Sequence, residues 1–133
     1  ALHLKETKPG IFREVPFLTG HVERDMNLYR DRDYACFARD KRFRYALLNQ
    51  GFDVQEVNLN EDIPTVVNIL VIADMAKPLT GEEMERLQRY IDRGGNLFIV
   101  GAPNSRDYMN PLTQLFGVEL MEGVLVKPTN LIW

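Results

Sequence analysis

The chain is poor in the groups from which reactive sites are usually built. It holds a single cysteine, Cys36, in 133 residues, which allows no internal disulfide and no cysteine-rich metal centre. Its two histidines, His3 and His21, are far apart, and no metal site is expected. No apolar run approaches the roughly 20 residues needed to cross a bilayer. The 16 Lys and Arg are outnumbered by 19 Asp and Glu and interleaved with them, giving a net charge of -3. Such a surface offers no clustered positive field, so nucleic acid is not expected as a partner. The glycines at 94, 95 and 101 do not make G-x-G-x-x-G, and no G-K-[ST] follows a glycine-rich loop. No cofactor is expected from either phosphate-binding pattern. Repeats and low-complexity tracts are absent as well.

What is present is most informative at residues 63–101 (IPTVVNILVIADMAKPLTGEEMERLQRYIDRGGNLFIVG). Residues 68–73 (NILVIA) form a short continuous apolar run, as in a strand buried on both faces. Thr80 with Glu83 three residues on is a capping box. Gly94 and Gly95 stop the helix that follows, and residues 96–100 (NLFIV) are a second buried strand. Two apolar strands joined through a helix run parallel in one sheet. The fold class is therefore α/β, and any site belongs at the carboxyl ends of the strands.

Around this unit, residues 1–10 read as a linker or lead-in and residues 11–133 as one α/β domain. Residues 12–19 (FREVPFLT) are expected to be the first strand, with Pro16 awkward inside it. Residues 20–32 form a polar loop. Residues 33–50 read as helix, broken near Asp40, with Phe43, Ala46, Leu47 and Gln50 on one face. Residues 52–59 alternate as a second strand with a slip in register. Within the capped helix, Met84, Leu87 and Ile91 make the buried stripe, and Glu82–Arg86 and Glu85–Arg89 pair at four-residue spacing. Asn110-Pro111 is a helix start. Residues 118–120 and 124–126 read as two short strands. The order β-α-β-β-α-β-α-β-β predicts a three-layer, flavodoxin-like domain with a mainly parallel sheet.

Four loops follow strand ends, and the candidate ligand- or partner-binding residues lie on them: Gly20, His21, Glu23, Arg24, Asp74 and Asn104. His21 with a carboxylate partner is a possible general base, although a polar loop held together by its own His and Glu is the expected role. No nucleophile stands at either strand-to-helix turn. The strand ending at Val100 leads into Gly101-Ala102-Pro103, and the one ending at Ala73 into Asp74-Met75-Ala76. Cys36, between Ala35 and Phe37, is expected in the core, and Ser105 has no histidine near it in sequence. Asp74 alone suits Mg²⁺ chemically, but no second acid is presented beside it. Tyr29, Tyr34 and Tyr108 are placed to stack on a ligand.

Residues 43–53 (FRYALLNQGFD), Ile63-Pro64, 70–74 (LVIAD), 78–83 (PLTGEE), 90–97 (YIDRGGNL) and 110–118 (NPLTQLFGV) together resemble the extracytoplasmic domain of the gliding-motility-type ABC transporter auxiliary family. Thr19-Gly20-His21 with Glu23 is similar to that family's Thr-Gly-His-Gly-Glu loop, with Val22 where the family usually has Gly. The likeness runs from about Phe12 to Val126. It implies a fold like class I glutamine amidotransferases without their cysteine, and it carries over no catalytic residue. It also implies a domain on the extracytoplasmic (periplasmic) side of the cell membrane, cut from a longer polypeptide with membrane helices, beside an ABC-2 type permease and its ATPase. The function expected is non-enzymatic binding of a partner protein or solute. Two alternatives stand beside it. One is a hydrolase or amidotransferase relative using His21, Glu23 and Asp74. The other is a sugar- or nucleotide-binding module with Tyr29, Arg24 and Asn104 as contacts.

Overall fold

The computed structural model describes residues 13–21, 23–30 and 33–128. The lead-in expected over residues 1–10, His3 and Val22 lie outside these residues. Four strands, β1 (Arg13–Leu18), β2 (Phe52–Val57), β3 (Ile69–Ala73) and β4 (Asn96–Val100), form one sheet in the order β2-β1-β3-β4. Every pairing is parallel. Three α-helices accompany them: α1 (Ala35–Arg39), α2 (Gly81–Asp92) and α3 (Arg106–Thr113). The arrangement is a flavodoxin-like three-layer α/β fold, and its order reverses between β1 and β3, the switch point where such sheets place their sites.

β3 explains the layering. Leu70 and Ile72 point to one face, where they join Leu18, Met75, Leu87, Tyr90, Met109 and Leu112 under α2 and α3. Val71 and Ala73 point to the other, with Val15, Phe17, Val54 and Ala38 of α1. A strand apolar on both faces needs cover on both. The cover is uneven, because α1 has only five residues. Phe98 lies in register with Val71 on the α1 face and remains 54% exposed.

The sequence reading holds best in the 63–101 unit. The capping box is formed: Glu83 N–H donates to Thr80 Oγ1 and Thr80 N–H to Glu83 Oε1, both at 3.2 Å. Leu87 is fully buried, and so is Tyr90, which the stripe of Met84, Leu87 and Ile91 did not include. The Tyr90 hydroxyl donates to Asn96 O at 2.7 Å, tying the end of α2 to the start of β4. Arg86 lies 3.8 Å from Glu82 as expected. Arg89 instead reaches Asp62 at 2.6 Å, so the Glu85 pairing is not the one formed.

Elsewhere local polar chemistry overrides periodicity. The break expected near Asp40 is present, with α1 ending at Arg39, but the second half of the expected helix forms only as a 3₁₀ turn at Leu47–Gln50. Asp40 accepts the Arg42 N–H at 2.9 Å, and Asn49 Nδ2 donates to Lys41 O and Phe43 O. These side chains satisfy backbone groups that a helix would otherwise use. Residues 118–120 and 124–126 do not form strands. The Leu120 N–H and C=O are both taken by the Asn110 side chain, at 2.8 and 3.3 Å, which removes them from a ladder on β4. Asn110 is thereby diverted from capping. The helix starts earlier, after a 3₁₀ turn at Pro103–Ser105, and Pro111 lies inside it. Pro16 stands within β1, which pairs with β2 over six residues but with β3 only at Phe17↔Val71.

Gly95 is required by a close approach: a Cβ there would lie 2.4 Å from the Tyr90 ring, which is buried and hydrogen-bonded and cannot swing away. Gly95→Ala is expected to destabilise the domain by about 1–3 kcal/mol, the usual range for overpacking, read as a lowered urea midpoint at unchanged slope.

Candidate functional site

The loops after β1 and β3 meet over the switch point and are stitched by backbone bonds. Arg24 N–H donates to Ala73 O at 3.0 Å and Ala76 N–H to His21 O at 2.9 Å. The β1 loop leaves the strand through Gly20, whose φ of 109° lies in the region that favours glycine. This geometry brings His21, Glu23, Arg24 and Asp74 together, as the sequence suggested. It also adds Glu83, whose capping box gave only half its role.

His21 is 6% exposed. Its Nδ1 lies 3.0 Å from Glu23 Oε1, and its Nε2 contacts Glu83 Oε2. The other oxygen of Glu23 accepts the His21 backbone N–H at 2.7 Å. With both carboxylates ionised, a ring whose two nitrogens meet carboxylate oxygens has both contacts satisfied as the doubly protonated imidazolium. The signal for this partner was available: a glutamate in the first turn of a helix that follows β3 lies on the same rim as the β1 loop. Burial opposes ionisation of Glu83. The Thr80 N–H and hydroxyl, together with His21, outweigh it and hold the carboxyl below its ordinary value of 4.5.

The second pair is Arg24 with Asp74. Arg24 Nε and Nη2 both reach Asp74 Oδ2, at 3.0 and 2.8 Å, and the Arg24 guanidinium stands 5.8 Å from the Tyr34 ring centroid. Asp74 has a φ of 55°, the only non-glycine residue above zero among those described. Aspartate tolerates that conformation better than most, and its Oδ1 accepts the Ala102 N–H at 3.1 Å, linking the β3 and β4 loops. Farther along the β1 loop, Asp33 is held below the usual carboxylate range, chiefly by the Asp25 N–H; burial opposes this, and Arg30 adds to the lowering.

Beside these pairs is a cleft of about 190 Å³ lined by Thr19, Gly20, Glu23, Arg24, Asp25 and Glu56, among others. A larger groove of about 440 Å³ runs along β4, lined by Leu97, Ile99, Phe116, Val118 and Leu120. It is apolar and holds none of the titratable candidates. Asn104 and Tyr29 sit on exposed turns rather than in the hydrogen-bonded cluster. Cys36 is exposed, not in the core: α1 buries Ala35 and Ala38, three apart, which turns Cys36 and Phe37 outward. Ser105 is buried, its hydroxyl donating to Ala102 O at 2.9 Å. Among the described residues no group of three or more His, Cys, Asp or Glu could hold a metal ion.

A flavodoxin-like α/β domain with a closed polar cluster at its switch point is the class these features define. The family model described as an ABC-type uncharacterized transport system matches residues 13–121, and the chain belongs to that family, an auxiliary component of ABC-type transport. Permease and ATPase partners follow in general terms from that membership. No curated protein and no solved structure matches the chain. Among the described residues no helix is long and apolar enough to cross a membrane.

Two outcomes test this geometry. Folding favours the ionised Glu83, so its contribution is present above about pH 4.5 and is lost as pH falls through its lowered value. Thermal melts across the acid range are expected to show a shallower acid limb in Glu83→Gln than in the parent. Asp74→Ala removes the carboxylate from Arg24 and puts alanine in a left-handed backbone. It is expected to cost about 1–3 kcal/mol by denaturant unfolding, with Asp74→Asn costing less.

Proposed function

We propose that this domain is a non-enzymatic, extracytoplasmic part of an ABC-2 type transport system, where it binds a partner protein or a solute for the permease and ATPase. The reading keeps the amidotransferase-like scaffold without its nucleophile, attached to membrane helices elsewhere in the same polypeptide. The observation that carries it is the mutual satisfaction of the polar groups at the switch point. His21 has both ring nitrogens committed to carboxylates, an arrangement that holds the loop after β1 against α2 and turns neither nitrogen toward a nucleophile. Asp74 is committed to Arg24 and to the Ala102 amide. A hydrolase using His21, Glu23 and Asp74 would have to dismantle both arrangements. Family membership supplies the transport context.

The side of the membrane can be tested with the exposed Cys36. In whole cells with a permeabilised outer membrane, and with any other cysteine of the parent protein replaced, a membrane-impermeant maleimide is expected to label Cys36. A Cys36→Ser control should stay unlabelled. Labelling that appears only after lysis would place the domain on the other side. Co-purification of permease and ATPase subunits with the full-length protein tests the partners. A melting-point rise in a small-molecule panel would identify a solute by mass action.

A further inference from the structure

We infer that His21 is a proton-dependent latch: in its doubly protonated form it fastens the loop after β1 to the amino end of α2, and loss of one proton releases that fastening and reshapes the adjoining cleft. The ring bridges Glu23 of its own loop and Glu83 of α2, with side chains 7%, 4% and 19% exposed respectively. Neutral imidazole carries one N–H. After deprotonation one of the two carboxylates faces a ring lone pair, and a part-buried anion that has lost its partner is strongly disfavoured.

The two contacts are not equivalent. Glu23 is two residues away and is also held by the His21 backbone N–H. That local pair survives on an Nδ1–H tautomer. Glu83 belongs to another element and keeps a separate donor, the Thr80 N–H. The contact between elements is therefore the one that opens. The charged groups packed around the ring are Glu23 on its own loop and Glu83 on α2, with the Arg24–Asp74 pair flanking them at the end of β3. None of these supplies a proton donor to replace the one His21 loses: the carboxylates accept, and the guanidinium is engaged with Asp74. Release reaches the cleft through the loop itself, which carries Gly20, Glu23 and Arg24 into its lining. The backbone bond from Ala76 N–H to His21 O carries the same motion to the β3 loop.

The test is ¹⁵N NMR of the 133-residue chain, in which only two histidines contribute and a His21→Gln variant assigns them. At the acidic end of the range over which the chain stays folded, both His21 ring nitrogens are expected to appear protonated. As pH is raised, the amide signals of Ala76, Thr80 and Glu83 should move together with the His21 ring signals. In Glu83→Gln, which retains an acceptor for the helix cap, the ring is expected to titrate without that linked movement at residues 80 and 83. A His21 ring that never carries both protons while the chain is folded would overturn the latch. So would a ring titration that leaves the amides of α2 in place. If His21→Gln does not fold, Glu83→Gln against the parent decides the question. The measurement needs no transport partner, so it stands or falls separately from the functional proposal.

Discussion

A strand that is apolar on both faces constrains everything else in this domain. Leu70 and Ile72 on one side of β3, and Val71 and Ala73 on the other, cannot be left in water. Burying a side chain of the Leu or Ile kind contributes about 1.5–3 kcal/mol, so β3 alone represents a large share of what holds a domain of this size together. Two layers of cover follow, and with them parallel crossovers and a rim on which the loops gather. α2 and α3 supply one layer with Leu87, Tyr90, Met109 and Leu112. α1 supplies the other with little more than Ala38 beneath the sheet, supported by Met26 from the β1 loop. That loop is thus part of the core as well as part of the rim, which explains why its polar residues are held so firmly.

The rim illustrates how charge is accommodated in a half-buried place. An isolated buried ion is costly, and pairing with full hydrogen bonding is the usual remedy. Both groupings here follow that pattern. Glu83 divides its two oxygens between the Thr80 N–H and His21, and Glu23 divides its own between the His21 ring and backbone. No buried side-chain nitrogen or oxygen among the described residues lacks a partner. A site arranged in this way holds the loops of the rim in position.

Much of this was legible in the residues, for physical reasons that differ by region. The 63–101 unit reads correctly because its signals agree: apolar runs, a capping box, paired glycines. The parallel sheet and the placing of His21, Glu23, Arg24 and Asp74 on loops at its carboxyl rim follow from it; the strand order β2-β1-β3-β4, and with it the switch point, does not, because pairing between distant strands leaves no local signal. The 33–50 and 110–126 regions read less well. There Asp40, Asn49 and Asn110 bind backbone groups that periodicity assigns to helix or strand, and a side-chain bond of that kind leaves no trace in hydrophobic spacing. Cys36 was misplaced because a five-residue helix buries one narrow face, so an apolar neighbour in sequence is no guide to burial. Glu83 reads first as a cap; its place in the first turn of the helix after β3 puts it on the rim, but which rim residue it meets is decided by the fold.

Pro16 has a consequence for how the sheet is held. Proline contributes no N–H to a ladder, and β1 meets β3 at a single residue pair while β1–β2 and β3–β4 are paired along their lengths. The sheet is in effect two ribbons lying side by side with a sparsely bonded seam between them. Above the seam, the bonds from Arg24 to Ala73, from Ala76 to His21 and from Arg24 to Asp74 act as staples across it. The polar cluster at the switch point is then a fastening of the two halves of the molecule, and any ligand or partner that disturbed it would also alter how one ribbon rides against the other.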